Sequence, residues 1–126
     1  RYHKEFQEIS FIASGGFGNV FKALNRLDGV EYAIKKVKNI MQHLEEVKTL
    51  AKLNHTNIVS YKGAWIEPSL ASTSIPCLQN KQYTTLYIQM ALCEKTLQQW
   101  LDERIETSPQ TIIIAILTQI IYGLDY

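Results

Sequence analysis

Apolar and polar residues alternate along much of the N-terminal part of the chain, a pattern typical of half-buried β-strands. Three such segments, rich in β-forming residues, precede residue 40, and two more follow residue 57. The turn-forming sequence Leu27-Asp28-Gly29 separates the second segment from the third and indicates a hairpin. The pattern predicts five strands, over residues 6–14, 19–25, 31–37, 58–66 and 84–90.

Other segments carry apolar residues at helical spacing. Thr96 is a candidate N-cap for one of them. Another begins at Ser108-Pro109, where proline suits the first helical turn, and it is apolar nearly all round, which predicts burial. The predicted helices cover residues 42–53, 96–104 and 108–126, and the Ser-, Thr- and Pro-containing stretch 68–81 is predicted to be a mobile surface loop.

A glycine-rich sequence, Ala13-Ser14-Gly15-Gly16-Phe17-Gly18-Asn19-Val20, joins the first two predicted strands. Glycines leave the backbone little steric restraint, so such a loop can approach a phosphate and offer it bare N–H groups. Rossmann and P-loop glycine sequences open a helix, whereas this one leads into a strand. Together with Lys35 in Tyr32-Ala33-Ile34-Lys35 on the next strand, it is typical of the nucleotide flap of protein kinases.

Glu46 lies inside the apolar face of the predicted 42–53 helix, between Leu50 and Leu53. It is either a boundary residue whose carboxylate reaches water, or a buried carboxylate that needs a cation, because an unpaired buried charge is costly. Lys35 is the nearest cation upstream on a strand predicted to face the same cleft. The kinase-like motif favours pairing Glu46 with Lys35.

The composition excludes several classes of function. The chain has 126 residues, 46% of them hydrophobic, and a net charge of +1, which suits one domain and gives no electrostatic support for nucleic-acid binding. Cys77 and Cys93 lack metal or redox spacing and are expected to be free thiols in a reducing compartment. The apolar run 112–121 is too short to span a bilayer. We therefore expect a soluble cytoplasmic protein whose segment binds neither nucleic acid nor membrane directly.

With these motifs in view, the chain resembles a eukaryotic protein kinase domain, and within it the kinases of the alpha subunit of translation initiation factor 2, a group that includes double-stranded-RNA-activated, haem-regulated and endoplasmic-reticulum stress enzymes. The resemblance implies an α+β small lobe with a five-stranded antiparallel sheet and one regulatory helix over residues 1–90. A hinge over 91–95 and two helices of an incomplete large lobe over 96–126 would follow. The matching residues include Ser14-Gly15-Gly16-Phe17-Gly18-Asn19-Val20-Phe21-Lys22-Ala23, Tyr32-Ala33-Ile34-Lys35-Lys36-Val37, Glu46-Val47-Lys48, Leu50-Ala51-Lys52-Leu53, Asn57-Ile58-Val59, Ala64-Trp65, Leu86-Tyr87-Ile88-Gln89-Met90 and Leu97-Gln98-Gln99-Trp100.

The same resemblance implies roles for individual residues toward ATP. Lys35 would contact the α- and β-phosphates, and Glu46 would hold Lys35, so these two are the expected catalytic residues. Met90 would be the gatekeeper, and Ala91 would replace the usual acidic residue after it, where only a carbonyl is needed. The expected nucleotide-binding set is Ala13, Ser14, Gly15, Gly16, Phe17, Gly18, Val20, Ala33, Lys35, Met90, Ala91 and Cys93. Ala13 stands where the family has its first flap glycine, and its methyl group should tighten the turn slightly.

Two functional interpretations follow from the resemblance. The sequence stops at Tyr126 without a His-Arg-Asp or an Asp-Phe-Gly motif, so the residue that orients the substrate hydroxyl and the Mg ligands would lie outside this chain. The chain is then the ATP-binding portion of a serine/threonine kinase, inactive alone, that acts on the alpha subunit of translation initiation factor 2 in stress or antiviral control of translation. The alternative is a truncated, non-catalytic kinase mimic that pairs with such a kinase and regulates it.

A homodimer through the small lobe is also implied by the resemblance, at Arg1, Glu5 and Tyr32. Arg1 and Glu5 carry opposite charges four residues apart, which equally fits a local ion pair on a short helical turn, worth about 0.3–0.5 kcal/mol. Across a two-fold axis the same pair would occur twice. Tyr32 is predicted to point to the strand face opposite Lys35.

Overall fold

A five-stranded antiparallel sheet dominates the computed structural model, which describes residues 1–15, 18–38, 40–69, 83–103 and 110–125. The strands are β1 (Phe6–Gly15), β2 (Gly18–Asn25), β3 (Glu31–Val37), β4 (Tyr61–Ser69) and β5 (Tyr83–Ala91). Their order across the sheet is β1-β2-β3-β5-β4, and each neighbouring pair is antiparallel. The described helices are α1 (Tyr2–Glu5), α2 (Ile40–Lys52), α3 (Leu97–Asp102) and α4 (Gln110–Asp125). The expected α+β fold with a five-stranded antiparallel sheet is confirmed.

The two faces of the sheet bury different side chains because successive residues of a strand point to opposite sides. One face carries an aromatic-rich cluster to which α1 contributes a fully buried tyrosine; its members are Tyr2, Phe6, Ala23, Ile34, Trp65 and Tyr87. The other face carries an aliphatic cluster of Val37, Leu86 and Ile88, against which α2 packs. Lys35 and Val37 are two residues apart on β3, so Lys35 projects on the face that carries α2.

The hairpin between β2 and β3 forms where the turn sequence predicts it. Gly29 has φ of 70°, the left-handed conformation that glycine adopts without steric cost. Asn25 closes the turn with hydrogen bonds of its backbone N–H and its backbone carbonyl. Its side-chain oxygen also accepts the Leu27 N–H at 2.8 Å. The turn therefore holds β2 and β3 in the register that places Val20 opposite Lys35.

The fourth strand begins and ends three residues later than the sequence predicts. The apolar residues Ile58 and Val59 suggest a strand start, but residues 56–58 form a turn and pairing with β5 begins at Tyr61, with a shift of register before Gly63. At the other end, Pro68 and Ser69 still pair with β5. Since β4 is an edge strand, a proline there costs no ladder hydrogen bond. Pro68 and Ser69 therefore do not belong to the loop predicted over 68–81, and the rest of that loop lies outside the described residues.

The described helices differ from the predicted ones in the residues at which they begin and end. The second helix starts at Ile40 rather than residue 42, and the third covers Leu97–Asp102 within the predicted 96–104. Thr96 is the N-cap, as expected: its hydroxyl accepts the Gln99 N–H at 3.1 Å, and the Gln99 side chain accepts the Thr96 N–H at 2.9 Å. The opening of the last helix at Ser108-Pro109 lies outside the described residues.

The last helix is not buried in this chain, contrary to the prediction from its composition. Most of its large apolar side chains are between 37% and 81% exposed, and Ile116 is partly buried; the exposed ones are Ile112, Ile113, Ile114, Leu117, Ile120, Ile121, Tyr122 and Leu124. Asn57, in the turn before β4, contacts this helix at Gln119 and Gly123, and most of the helix surface stays exposed. Within the ranges that the structure describes, no helix is both long and apolar enough to cross a membrane.

Candidate functional site

Lys35 and Glu46 form an ion pair between the sheet and α2, with 2.9 Å between Lys35 Nζ and Glu46 Oε1. The lysine side chain is 20% exposed and the glutamate side chain 36% exposed, so the pair lies at the edge of the packed interior. The contact exists because the odd-numbered face of β3 meets α2 and because Glu46 interrupts the apolar face of that helix. The cation expected for Glu46 from the sequence is therefore Lys35.

His43 contacts the same carboxylate, which sequence reasoning missed. Its Nδ1 lies 3.2 Å from Glu46 Oε2, one helical turn away on α2. Burial alone would raise the pKa of the Glu46 carboxyl, but the hydrogen bonds from Lys35 and His43 outweigh it and leave that pKa below its ordinary value. Glu46 is therefore ionised at neutral pH. The only available signal in the sequence was the i,i+3 spacing between His43 and Glu46.

Three of the predicted nucleotide-contacting side chains share the face of Lys35. Val20 of β2 lies directly opposite Lys35, and Met90 of β5 lies directly opposite Ala33. Directly opposed residues of antiparallel strands point to the same face, so these side chains form one apolar strip beside the Lys35 ammonium. Ala33 is buried, and Met90 packs against the aliphatic cluster. Such a strip next to a fixed cation suits a flat apolar group that carries an anion.

The described part of the glycine-rich sequence lies in the paired ends of β1 and β2. Ala13 pairs with Val20, and Ser14 with Asn19, both in exposed positions of β1. The last pair is Gly15 with Gly18, which flank Gly16 and Phe17; those two predicted site residues lie outside the described residues.

Gly15 and Gly18 are glycines for different physical reasons. A Cβ added at Gly15 would meet nothing within 4 Å among the described residues, so the chain's own packing does not require glycine there. A Cβ at Gly18 would lie 2.3 Å from the carbonyl oxygen of Lys36, which no side chain can approach so closely. Gly18 is thus required for β2 to lie against β3. Gly15 leaves open space where a ligand can come close to the backbone.

The connector after β5 carries the remaining predicted site residues. The N–H of Ala91 donates to the carbonyl of Ser60 at 2.9 Å. The use of the Ala91 carbonyl by a ligand, which the resemblance implies, stays a prediction. Cys93 follows in the exposed connector before α3 and is a free cysteine. Cys77 lies outside the described residues.

Arg1, Glu5 and Tyr32 lie away from this site. Arg1 Nε is 2.8 Å from Glu5 Oε2 within the same chain, the local i,i+4 arrangement, and the Arg1 guanidinium lies 4.4 Å from the centre of the Trp65 ring. Tyr32 is partly buried at the border of the aromatic cluster on the face opposite Lys35, and its hydroxyl donates to Asp28 Oδ2 at 2.7 Å. The structure thus shows the local form of the Arg1–Glu5 pair.

The turn before β4 contacts α4. Like the contact between His43 and Glu46, this contact is not predicted by the sequence. Asn57 Nδ2 donates to the carbonyl of Gln119 at 2.8 Å. A Cβ on Gly123 would lie 2.9 Å from the Asn57 carbonyl oxygen, so glycine permits this approach. The last helix is thereby attached to the sheet through the segment that directly follows α2.

Comparison with known proteins identifies the family. The protein kinase domain family matches residues 6–126. The chain belongs to this family. Over its whole length it is 40% identical to the interferon-induced, double-stranded RNA-activated protein kinase of Rattus norvegicus and 41% identical to that of Mus musculus. Over 75% of its length it is 33% identical to the eukaryotic translation initiation factor 2-alpha kinase 2 of Schizosaccharomyces pombe. The chain spans about a quarter of the length of the two mammalian relatives and 16% of the yeast one.

For a protein kinase domain, the residues present fit ATP. Lys35 supplies a cation that is held in place, the strip of Val20, Ala33 and Met90 supplies an apolar surface, and Gly15 leaves open space beside the backbone. The family membership and the relatives confirm the resemblance to kinases of the initiation factor. The role of each residue toward the nucleotide stays a prediction.

Proposed function

We propose that this chain is the ATP-binding portion of a serine/threonine protein kinase that phosphorylates the alpha subunit of translation initiation factor 2 in stress or antiviral control of translation. The observation that carries the proposal is the Lys35–Glu46 ion pair, on the same sheet face as the Val20, Ala33 and Met90 strip. The proposed substrate follows from the relatives, since one of them bears the name of an initiation factor 2-alpha kinase.

In the proposed reaction, ATP with Mg²⁺ supplies the phosphoryl group. The Lys35 ammonium holds the α- and β-phosphates, and the Glu46 carboxylate keeps that ammonium directed at them. Val20 and Ala33 cover the adenine, Met90 limits the depth of its pocket, and the backbone of Ala91 and Cys93 hydrogen-bonds its edge. The glycine-rich sequence of Ala13, Ser14, Gly15, Gly16, Phe17 and Gly18 is proposed to cover the phosphates. Catalysis of phosphoryl transfer depends almost entirely on such positioning and charge stabilisation.

The printed sequence contains neither His-Arg-Asp nor Asp-Phe-Gly, so the Mg²⁺ ligands and the residue that orients the substrate hydroxyl are not among its residues. We therefore propose that the chain alone does not transfer phosphate and that activity belongs to a kinase with a complete catalytic domain. A non-catalytic mimic that pairs with a kinase is the competing proposal. The retained Lys35–Glu46 pair favours the enzyme, because a mimic does not need a phosphate-directed lysine.

The test is transfer of labelled phosphate from ATP to the isolated alpha subunit by the complete kinase. Lys35→Met should abolish transfer while the melting temperature stays close to that of the wild type. Lys36→Met is the matched control: Lys36 follows in the same strand but points to the opposite face, where its Nζ lies 2.6 Å from Glu8 Oε1. Equal loss in the two variants, or normal transfer by Lys35→Met, would reject the proposal.

We also propose that the complete kinase forms a homodimer through the small lobe, with Arg1, Glu5 and Tyr32 at the two-fold axis. The local Arg1–Glu5 pair is half-exposed, so it stabilises each chain by only about 0.3–0.5 kcal/mol. Only this stabilisation is lost when the two residues pair across the axis instead. The Tyr32 ring lies on the face opposite the nucleotide residues, so a partner there leaves the cleft open.

A further inference from the structure

Glu46 divides its two carboxylate oxygens between two partners. Oε1 lies 2.9 Å from Lys35 Nζ on β3, and Oε2 lies 3.2 Å from His43 Nδ1 on the preceding turn of α2. The partners therefore do not compete for one oxygen. With both bonds in place, the carboxylate cannot rotate without breaking at least one of them.

The chemistry of the pair assigns the proton on the imidazole. An ionised carboxylate only accepts hydrogen bonds, so Nδ1 of His43 must carry a hydrogen for the contact to be a hydrogen bond. This holds for the neutral Nδ1–H tautomer and for the imidazolium alike. The contact thus persists whichever of these two forms is present.

Burial makes His43 the fixed member of this group. Its side chain is 8% exposed, whereas those of Lys35 and Glu46 are 20% and 36% exposed, and it is the one buried residue among those of α2. A packed side chain has little rotameric freedom, while a glutamate at the solvent edge has much. The imidazole can therefore anchor a carboxylate that would otherwise turn toward water.

We propose that His43 is a positioning residue for the Lys35–Glu46 pair: its Nδ1–H holds Oε2 of Glu46 and thereby fixes the orientation in which Oε1 meets Lys35. The inference rests on the proposed kinase function, in which the placement of the Lys35 ammonium limits phosphoryl transfer. Support from buried neighbours is what keeps a site within the narrow geometry that chemistry requires. Among the described residues, the groups that hydrogen-bond this carboxylate are Lys35 from β3 and His43 from α2, and Tyr61 of β4 packs in the adjoining aliphatic cluster.

The first test does not depend on activity. The Glu46 side-chain carboxyl is followed by carbon-detected NMR during a pH titration of the 126-residue chain, in the wild type, His43→Leu, His43→Asn and Glu45→Gln. His43→Leu should move the Glu46 midpoint to higher pH, because one donor to the carboxylate is lost. His43→Asn keeps a donor at nearly the same position and should restore most of the shift. Glu45→Gln is the control, since Glu45 pairs with Lys48 on the exposed side of the same helix.

The second test measures kcat and the KM for ATP in the kinase with its complete catalytic domain. His43→Leu should lower kcat about 5- to 10-fold, the effect of losing one hydrogen bond, with KM changed less than about 2-fold. His43→Asn should recover most of kcat, and Glu45→Gln should leave both constants unchanged. If leucine prevents folding, His43→Met takes its place.

The outcomes separate this inference from the proposed function. Loss of transfer in Lys35→Met and Glu46→Gln, with normal kcat and a normal Glu46 titration in a folded His43→Leu, would overturn the role of His43 and keep the kinase assignment. Normal kcat in Lys35→Met and Glu46→Gln would instead reject the proposed function. A structural role alone would lower the melting temperature of His43→Leu without moving the Glu46 midpoint, and would also overturn the inference.

Discussion

Glu46 Oε1 on α2 lies 2.9 Å from Lys35 Nζ on β3, so one ion pair ties the orientation of the helix to the lysine of the sheet. Glu46→Ala leaves the ammonium without its carboxylate. In the complete kinase we expect kcat to fall about 100-fold, the loss associated with a misplacement of about 1 Å, with little change in melting temperature because both side chains are partly exposed. Glu45→Ala serves as the control, and an unchanged turnover number for Glu46→Ala would contradict the assignment.

The same pair predicts a pH dependence of stability. The pKa of Glu46 in the folded chain is below its ordinary value of 4.5, so its stabilising contribution is fully present above that pH and is lost as the pH falls through the folded pKa. Below that range, the protonated carboxyl no longer favours the folded state. Glu46→Gln should therefore lose less stability than the wild type on acidification. Melting temperatures recorded between pH 7 and pH 3 test this, and parallel curves for the two proteins would show that Glu46 is not part of the acid transition.

The two described glycines of the hairpin form a matched pair for mutagenesis. Gly15→Ala meets open space and should leave the free energy of unfolding within about 0.5 kcal/mol of the wild type, while weakening ATP binding by the complete kinase. Gly18→Ala places a Cβ 2.3 Å from the Lys36 carbonyl oxygen and should destabilise the fold by about 1–3 kcal/mol. Urea unfolding and ATP titration measure the two effects. The assignment of Gly15 to the phosphates is wrong if its alanine variant binds ATP like the wild type.

Asn57 and Gly123 should both be needed to hold α4 against the turn before β4. Gly123→Ala introduces a Cβ 2.9 Å from the Asn57 carbonyl oxygen, and the two segments must separate to admit it. Asn57→Ala removes the 2.8 Å bond to the Gln119 carbonyl, a loss of about 0.5–1.5 kcal/mol. Amide hydrogen exchange in residues 119–125 should become faster in both variants. Thr56→Ala, in the same exposed turn, is the control, and unchanged exchange in Gly123→Ala would show that the close approach is absent in solution.

The proposed small-lobe dimer is tested by exchanging the charges of Arg1 and Glu5. Arg1→Glu and Glu5→Arg each place like charges together and should weaken the dimer of the complete kinase, while the double variant should restore it. Because the pair is local in the single chain, the melting temperature of the monomer is measured beside the dissociation constant. Sedimentation that finds the single variants dimerising like the wild type, or the double variant as weak as the singles, would exclude pairing across the axis.

Local rules were sufficient for the three strands before residue 38, for the turn between β2 and β3, and for the cap of the third helix. Strand alternation, the left-handed preference of Gly29 and the reciprocal Thr96–Gln99 hydrogen bonds each depend on residues close together in sequence. Glu46 could also be singled out locally, because a carboxylate inside an apolar helical face either reaches water or, if buried, needs a cation. Its partner Lys35 followed from the expected sheet face and the kinase-like motif.

Contacts between distant segments were decided only by the tertiary structure. The fourth strand starts at Tyr61, after a turn in which Asn57 contacts α4, and no pattern around Ile58 predicts that contact. The apolar composition of α4 predicted burial, but burial depends on which surfaces meet the helix. The neighbour of Gly18 is the Lys36 carbonyl across the sheet. Likewise, the sequence shows His43 only as one more residue of an amphipathic helix. In the fold, His43 is buried and its Nδ1 lies beside Glu46.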